Sequence, residues 1–422
     1  MPNAGESPAS FCFHDPRTRG FRARCSVDGV VAHIRERVRG LGSERIAVES
    51  GLGRVLGGAV TSAIDVPHFD RAAMDGYALR AEETFGANAY GPAGFRVIGR
   101  SRPGSPFLGR VGPGEAVAIA TGAPMPEGAD AVVPFEWTSL SGELVSVLDA
   151  VTPARHVGAR GEDIRAGSQV LGSGRVLRPQ DLGVLRAIGM DEVEVVRRPL
   201  VHILTMGDEL QPAGQAPGGF RIADANAPML SALVARDGGV PVVVGPLVDD
   251  RAEVAERVRE AIDRSDAVLI CGGSSAGPED YAPSIVAELG ALVVHGVGLR
   301  PASPTGLGFV GGIPILLAPG NPVSCLCAYD FFGCRIVRRL GGLPESWPYR
   351  AIARPLAEKL VSVLGRVDYC RVRVANEGVI PITSSGASIL SSTTRADGFV
   401  VVPGESEGYA SGTTVTVWMY DT

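Results

Sequence analysis

Leu200-Val201-His202-Ile203-Leu204 is a mostly apolar run of strand length, and Thr205-Met206-Gly207-Asp208-Glu209-Leu210 follows it at once. A short apolar run closed by a glycine turn reads as a strand buried on both faces. The same plan then repeats: a helical pattern over 226–237, a strand at 240–245, a helix at 250–263 and a strand at 267–271. A Gly-rich turn, a helix at 281–289 and a strand at 291–294 complete the series. Strands alternating with helices of this length predict a parallel sheet covered on both faces. In such sheets a ligand sits beyond the C-terminal ends of the strands.

Outward from this α/β segment, Arg197-Arg198-Pro199 marks one boundary and Gly342-Leu343-Pro344-Glu345-Ser346-Trp347-Pro348 another. Ser26 precedes a helical pattern with Val30, Val31, Ile34 and Val38 on one face, and is placed to cap it. Short β-like runs such as 95–98 and 116–119 alternate with Gly/Pro turns. The expected organisation is a flexible leader at 1–25, a helical and linker domain at 26–54 plus 151–196, and a β-rich domain at 55–150. An α/β domain follows at 197–345, and a small C-terminal β-barrel at 346–422.

The 422 residues are long enough to build cores without disulfides or structural metals. A formal charge of −6 argues against nucleic acid as a partner. Seven cysteines, an odd number with no zinc spacing, suggest reduced thiols. The arginines of the leader lack a following apolar h-region, and no apolar run approaches the ~18 residues of a membrane span. A cytoplasmic protein is expected. Lys359 is the single lysine, so a bound oxyanion cannot be met by a lysine of the α/β segment.

Several loops could carry chemistry. Gly272 and Gly273 with Ser274 and Ser275 follow a strand, where backbone N–H groups and hydroxyls can face an anion; the loop also reads as a plain turn. Asp280 could cap the next helix or hold a cation that bridges to phosphate. Glu209, Asp208 and Asp249 fall on the same rim, where carboxylates repel one another unless a cation intervenes; Asp249 also reads as the N-cap of helix 250–263. Pro319-Gly320-Asn321-Pro322 is a stiff turn into a helix expected over 323–339. Asp75-Gly76, Thr121-Gly122 and Glu162-Asp163 each also read as ordinary turn chemistry. The 272–277 loop lacks GxGxxG spacing, which disfavours an NAD-dependent oxidoreductase.

Taken together, MDGYA at 74–78, TGAPMPEGADAVV at 121–133, RGEDI at 160–164, GDEL at 207–210, GGSSAG at 272–277 and PGNPVS at 319–324 resemble one family. It is that of the molybdopterin molybdenumtransferases, which includes bacterial MoeA and the gephyrin E-domain. The resemblance runs from about residue 26 to the C-terminus. It implies a transferase of molybdenum cofactor biosynthesis that takes adenylyl-molybdopterin and molybdate, uses Mg²⁺ and releases AMP. It implies a homodimer whose site joins the α/β domain of one subunit to the β-rich domain of its partner, and apo-molybdoenzymes or cofactor-biosynthesis proteins as further partners. Carried over motif by motif, the catalytic set is Asp75, Asp163, Glu209 and Asp280, and the metal set Glu209, Asp249 and Asp280. Substrate contacts would come from Thr121, Gly272, Gly273, Ser274, Ser275, Arg300, Ser303, Pro319, Gly320, Asn321 and Pro322.

Three positions depart from the family's pattern. Ser303 stands where a lysine is usual, Ala302 where a glycine is usual, and Met206 where a threonine is usual. Arg300 keeps a fork of donors suited to an oxyanion. The alternative function is a divergent paralogue, either a peptide-binding scaffold like the gephyrin E-domain or an enzyme of another nucleotide conjugate.

Overall fold

A computed structural model describes residues 24–273, 280–383 and 386–420. The chain divides into two compact units: 45–195, and a unit assembled from residues up to 44 and from 196 onward. The leader lies outside the described residues up to position 23.

The α/β segment runs β1 (Leu200–Met206), α1 (Asn226–Arg236), β2 (Val240–Leu247), α2 (Arg251–Arg264) and β3 (Ala267–Cys271). It continues with α3 (Ala282–Leu289), β4 (Ala291–His295), β5 (Gly306–Val310), β6 (Ile313–Ala318) and α4 (Pro322–Ala328). The sheet order is β2-β1-β3-β6-β5-β4. β2, β1, β3 and β6 are mutually parallel. β5 runs antiparallel to both β4 and β6, within a sheet otherwise parallel as expected. The cause is local: Gly311 and Gly312, both at positive φ, turn β5 straight back into β6 as a hairpin.

Strand residues alternate between two cores, as period-two geometry requires. Val201, Ile203, Leu269, Cys271, Leu316 and Ala318 pack with α1 and α4. Leu204, Met206, Val268, Ile270, Ile315 and Leu317 pack with α2 and α3. Both faces are therefore covered, and β1 reaches two residues further than the apolar run alone suggested.

The helix expected over 323–339 is broken. α4 passes into a π-helical turn at Tyr329–Gly333 and resumes as Cys334–Leu340. The extra residue per turn carries Asp330 and Tyr329 into a fully buried polar network. Tyr349 and Tyr369 donate to Asp330 at 2.9 and 3.0 Å, and Tyr329 donates to Asp237 at 3.1 Å. Burial pushes the Asp330 carboxyl up to about 6, against the pull of Arg236 3.5 Å away.

Helix Val27–Arg37 is capped by Ser26, whose Oγ accepts from the Gly29 N–H at 3.0 Å. Its apolar face joins the α1/α4 core. The Arg339 guanidinium ties it down through the carbonyls of Val38 (2.7 Å) and Arg35 (2.8 Å). The helix finds its apolar complement beside the π-turn.

Unit 45–195 holds a six-stranded sheet in which Gly76–Leu79 lies between Glu115–Ile119 and Ala131–Pro134. A second core forms from Val48, Leu56, Leu171, Leu177, Leu185 and Val195. At the C-terminus, Val367–Ala375, Gly378–Thr383, Gly398–Val402, Thr414–Met419 and Arg350–Pro355 form a largely antiparallel sheet. Leu299–Arg300 joins its edge in parallel, with Arg300 opposite Asp368.

Candidate functional site

The C-terminal ends of the four parallel strands open into one cavity of about 610 Å³. Its lining brings together Glu209 after β1, Asp249 after β2, Gly272 and Gly273 after β3, and Asp280 before α3. Pro319, Gly320, Asn321 and Pro322 after β6 form a further wall. Loops scattered over more than a hundred positions of sequence thus meet where the switch-point rule places a ligand.

Local chemistry holds each loop. Gly272 has φ +99, and a Cβ there would lie 2.4 Å from the Met206 carbonyl oxygen, so only glycine lets β3 turn beside β1. Its N–H donates to the Ala318 carbonyl at 3.3 Å, so that group is engaged within the fold and not held for a phosphate. Ser274 and Ser275 lie outside the described residues. Asp208 and Asp249 exchange bonds: the Asp249 N–H donates to Asp208 Oδ1 (3.1 Å) and the Asp208 N–H to Asp249 Oδ2 (3.3 Å). The N-cap of α2 is Asp250, which accepts from the Glu253 N–H at 2.9 Å. That corrects the capping reading of Asp249 and leaves its side chain on the rim.

The cavity lining is acidic. Three carboxylates border it, and among the described lining residues there is no lysine, arginine or histidine. Arg300 is not among the lining residues; its guanidinium pairs with the fully buried Asp368, because the 299–300 strand carries it onto the C-terminal sheet. Ser303 donates to the Val297 carbonyl at 3.2 Å, and only its neighbour Pro304 reaches the cavity.

In the other unit, Asp75 and Thr121 meet. Asp75 Oδ1 accepts from the Thr121 N–H at 2.7 Å and from its hydroxyl at 3.2 Å. Gly76 permits this, since a Cβ there would fall 1.9 Å from the Val133 carbonyl oxygen. Asp163 is exposed on a loop whose backbone bonds to Val66. That loop is braced by Arg160 to Asp65 (2.6 Å) and Glu162 to Arg71 (2.9 Å).

Sequence reasoning missed Ile222, Ala223, Asn226 and Ser388, which also line the cavity. The signal for Asn226 was present in Asp224-Ala225-Asn226: Asp224 Oδ1 accepts from the N–H groups of Asn226 and Ala227, both at 3.0 Å, and starts α1. Ser388 gave no signal. It sits in the C-terminal segment, and only tertiary structure brings it to the rim. Cys271 lines the cavity, and its sulfur lies 3.5 Å from that of the buried Cys325 behind it. The contact with Cys271 and then burial push the Cys325 thiol well up, so it stays protonated.

The fold and its rim define a multidomain protein whose central α/β domain opens an acidic cavity at its strand ends. Family models match as the MoeA N-terminal region (domain I and II) over 25–189, a probable molybdopterin binding domain over 202–339, and the MoeA C-terminal region (domain IV) over 353–420. The chain belongs to the MoeA, or molybdopterin molybdenumtransferase, family. Molybdopterin molybdenumtransferase 2 of Mycobacterium tuberculosis is 32% identical over 398 residues, covering 91% of this chain and 97% of that protein. Molybdopterin molybdenumtransferase of Staphylococcus aureus is 30% identical over 383 residues, covering 88% and 90%. A crystal structure of the molybdopterin biosynthesis MoeA protein from Pyrococcus horikoshii superposes with a TM-score of 0.84 at 31% identity, covering 95% of this chain and all of that one. No helix among the described residues is long and apolar enough to cross a membrane.

Proposed function

We propose that the protein is a molybdenum cofactor transferase that binds adenylyl-molybdopterin and molybdate, inserts molybdenum at the dithiolene and releases AMP. The observation that carries this reading is the cavity of three carboxylates without a basic residue among its described lining. Such a surface repels a phosphate-bearing substrate unless a dication lies between them.

The donors fit Mg²⁺, which prefers hard oxygen ligands. Among the described residues no three His, Cys, Asp or Glu side chains converge as a ready-made metal cluster. Mg²⁺ commonly takes only one or two carboxylates and completes its shell with substrate phosphate and water. Glu209, Asp249 and Asp280 are the groups that would hold it. Bound there, it would neutralise phosphate charge and polarise the phosphoanhydride. The protein's own part is positional: Gly272 and Gly273 let the chain turn beside Met206 at the cavity edge, and Pro319 to Pro322 wall the cavity. Asp75 and Asp163 belong to the reading as catalytic groups and Thr121 as a substrate contact, in a homodimer.

Turnover with adenylyl-molybdopterin, molybdate and Mg²⁺ tests this, scored by AMP release and by reconstitution of an apo-molybdoenzyme. Glu209→Gln and Asp280→Asn are expected to lower AMP release at least a hundredfold with the unfolding midpoint unchanged, and EDTA to abolish it. Wild-type protein that releases no AMP would sink the reading. Near-normal turnover in either variant would move the cation elsewhere.

A further inference from the structure

We propose that Asn226 reads an N–H donor on the heterocycle of the bound substrate and thereby selects which ring the cavity accepts. This rests on the function proposed above and adds a specificity-determining residue to it.

Asn226 opens α1 and is 8% exposed, yet it lines the cavity. It is fixed at two points. Its backbone N–H donates to Asp224 Oδ1 at 3.0 Å, and its Nδ2 donates to the Gly320 carbonyl at 2.7 Å. A carbonyl only accepts, so turning the amide over would set two oxygens against each other. The orientation is therefore locked, and the planar amide directs Oδ1 away from Gly320. Oδ1 is buried and has no hydrogen-bond partner among the described residues.

A buried acceptor left unpaired is costly and calls for a donor. The neighbouring carboxylates Glu209, Asp249 and Asp280 only accept when ionised. Phosphate and molybdate oxygens present acceptors too, so neither oxyanion satisfies Oδ1. An exocyclic amino group does. The pterin and the adenine of an adenylylated pterin each offer one, and the measurement must distinguish them.

Equilibrium titrations of the full-length protein use two ligand pairs. One is a 6-substituted pterin against the matching lumazine, in which oxo replaces the 2-amino group. The other is AMP against purine riboside 5′-monophosphate, which lacks the 6-amino group. Wild type is expected to favour the amino ligand about tenfold in one pair, and that pair identifies the ring. Asn226→Leu removes the acceptor and is expected to abolish the preference. Asn226→Asp keeps an oxygen at Oδ1 and is expected to retain it. Both variants lose the Nδ2–Gly320 bond, and Asp also sets an oxygen against the Gly320 carbonyl, so a purely structural role would perturb Asn226→Asp at least as much as Asn226→Leu. The inference is overturned if wild type shows no preference in either pair, if Asn226→Leu keeps it, or if both variants lose it equally. If wild type binds none of the four ligands, the proposed function falls with it. If it binds them without discrimination, only the role of Asn226 falls.

Discussion

Ala302 has φ +93 and is almost fully buried, a conformation that costs an L-residue about 1–2 kcal/mol. Its carbonyl nonetheless accepts from both the N–H (3.1 Å) and the hydroxyl (2.7 Å) of Thr305, so the turn is held by its neighbours. Ala302→Gly should therefore stabilise the protein by up to about 1 kcal/mol, read as a raised urea midpoint with unchanged slope. A lowered midpoint would show that the buried methyl contributes more than the strain costs. Beside it, Ser303→Lys adds a cation one residue from the cavity wall. An interaction of order 1 kcal/mol would tighten molybdate binding about fivefold at low salt, and added salt should erase the gain. An unchanged titration would remove position 303 from the anion's surroundings. The two changes were visible in sequence as departures at neighbouring positions. That Arg300 turns away to Asp368 was not, because a two-residue strand leaves no periodic signal and its partner lies far along the chain.

At the level of elements, helix Pro179–Ala187 shows how much one carboxylate can organise. Asp181 accepts from Arg175 (2.8 and 3.0 Å), from the Arg178 side chain (3.2 Å) and from the Arg178 N–H (3.0 Å). The Arg175 hydrogen bonds, opposed by burial and helped by Arg178, hold its carboxyl far below the usual range. A depressed folded-state pKa gives stability that is present above the unfolded value near 4 and lost as pH falls below it. Asp181→Asn should cost about 1–2 kcal/mol at pH 7, after discounting for the half-exposed arginines. The gap from wild type should close progressively below pH 4. A gap that stays constant down to pH 2 would assign the loss to the cap geometry alone. Pro at the first turn and apolar spacing mark such a helix in the sequence. The α/β alternation was legible for the same reason, and its loops could be assigned to one rim. The hairpin of β5 and β6 and the π-turn at Tyr329–Gly333 were not. The first hides in an apolar, Gly-rich run, and the second changes no residue spacing that a helical pattern would reveal.

For the whole molecule, unit 45–195 owns complete cores, among them Tyr77, Phe95, Val133 and Val147 in the sheet and Leu56, Leu177 and Leu185 beside the helix. Expressed alone, residues 45–195 should unfold in one cooperative transition, followed by circular dichroism in urea. A gradual, uncooperative melt would mean that this unit depends on the rest of the chain. The other unit has no such independence in sequence, because its N-terminal helix is separated from its partners by the entire inserted unit. This has a consequence for synthesis. As the chain leaves the ribosome, Val27–Arg37 emerges before the α/β segment, with Val30, Val31 and Ile34 uncovered. The 162 residues from 38 to 199 must follow before the first α/β strand appears, roughly eight to thirty seconds at ordinary elongation rates. During that interval the inserted unit can already be folded while the helix waits for a surface that has not yet been translated. Among the described elements, the one the nascent chain must shield for longest is therefore the helix Val27–Arg37.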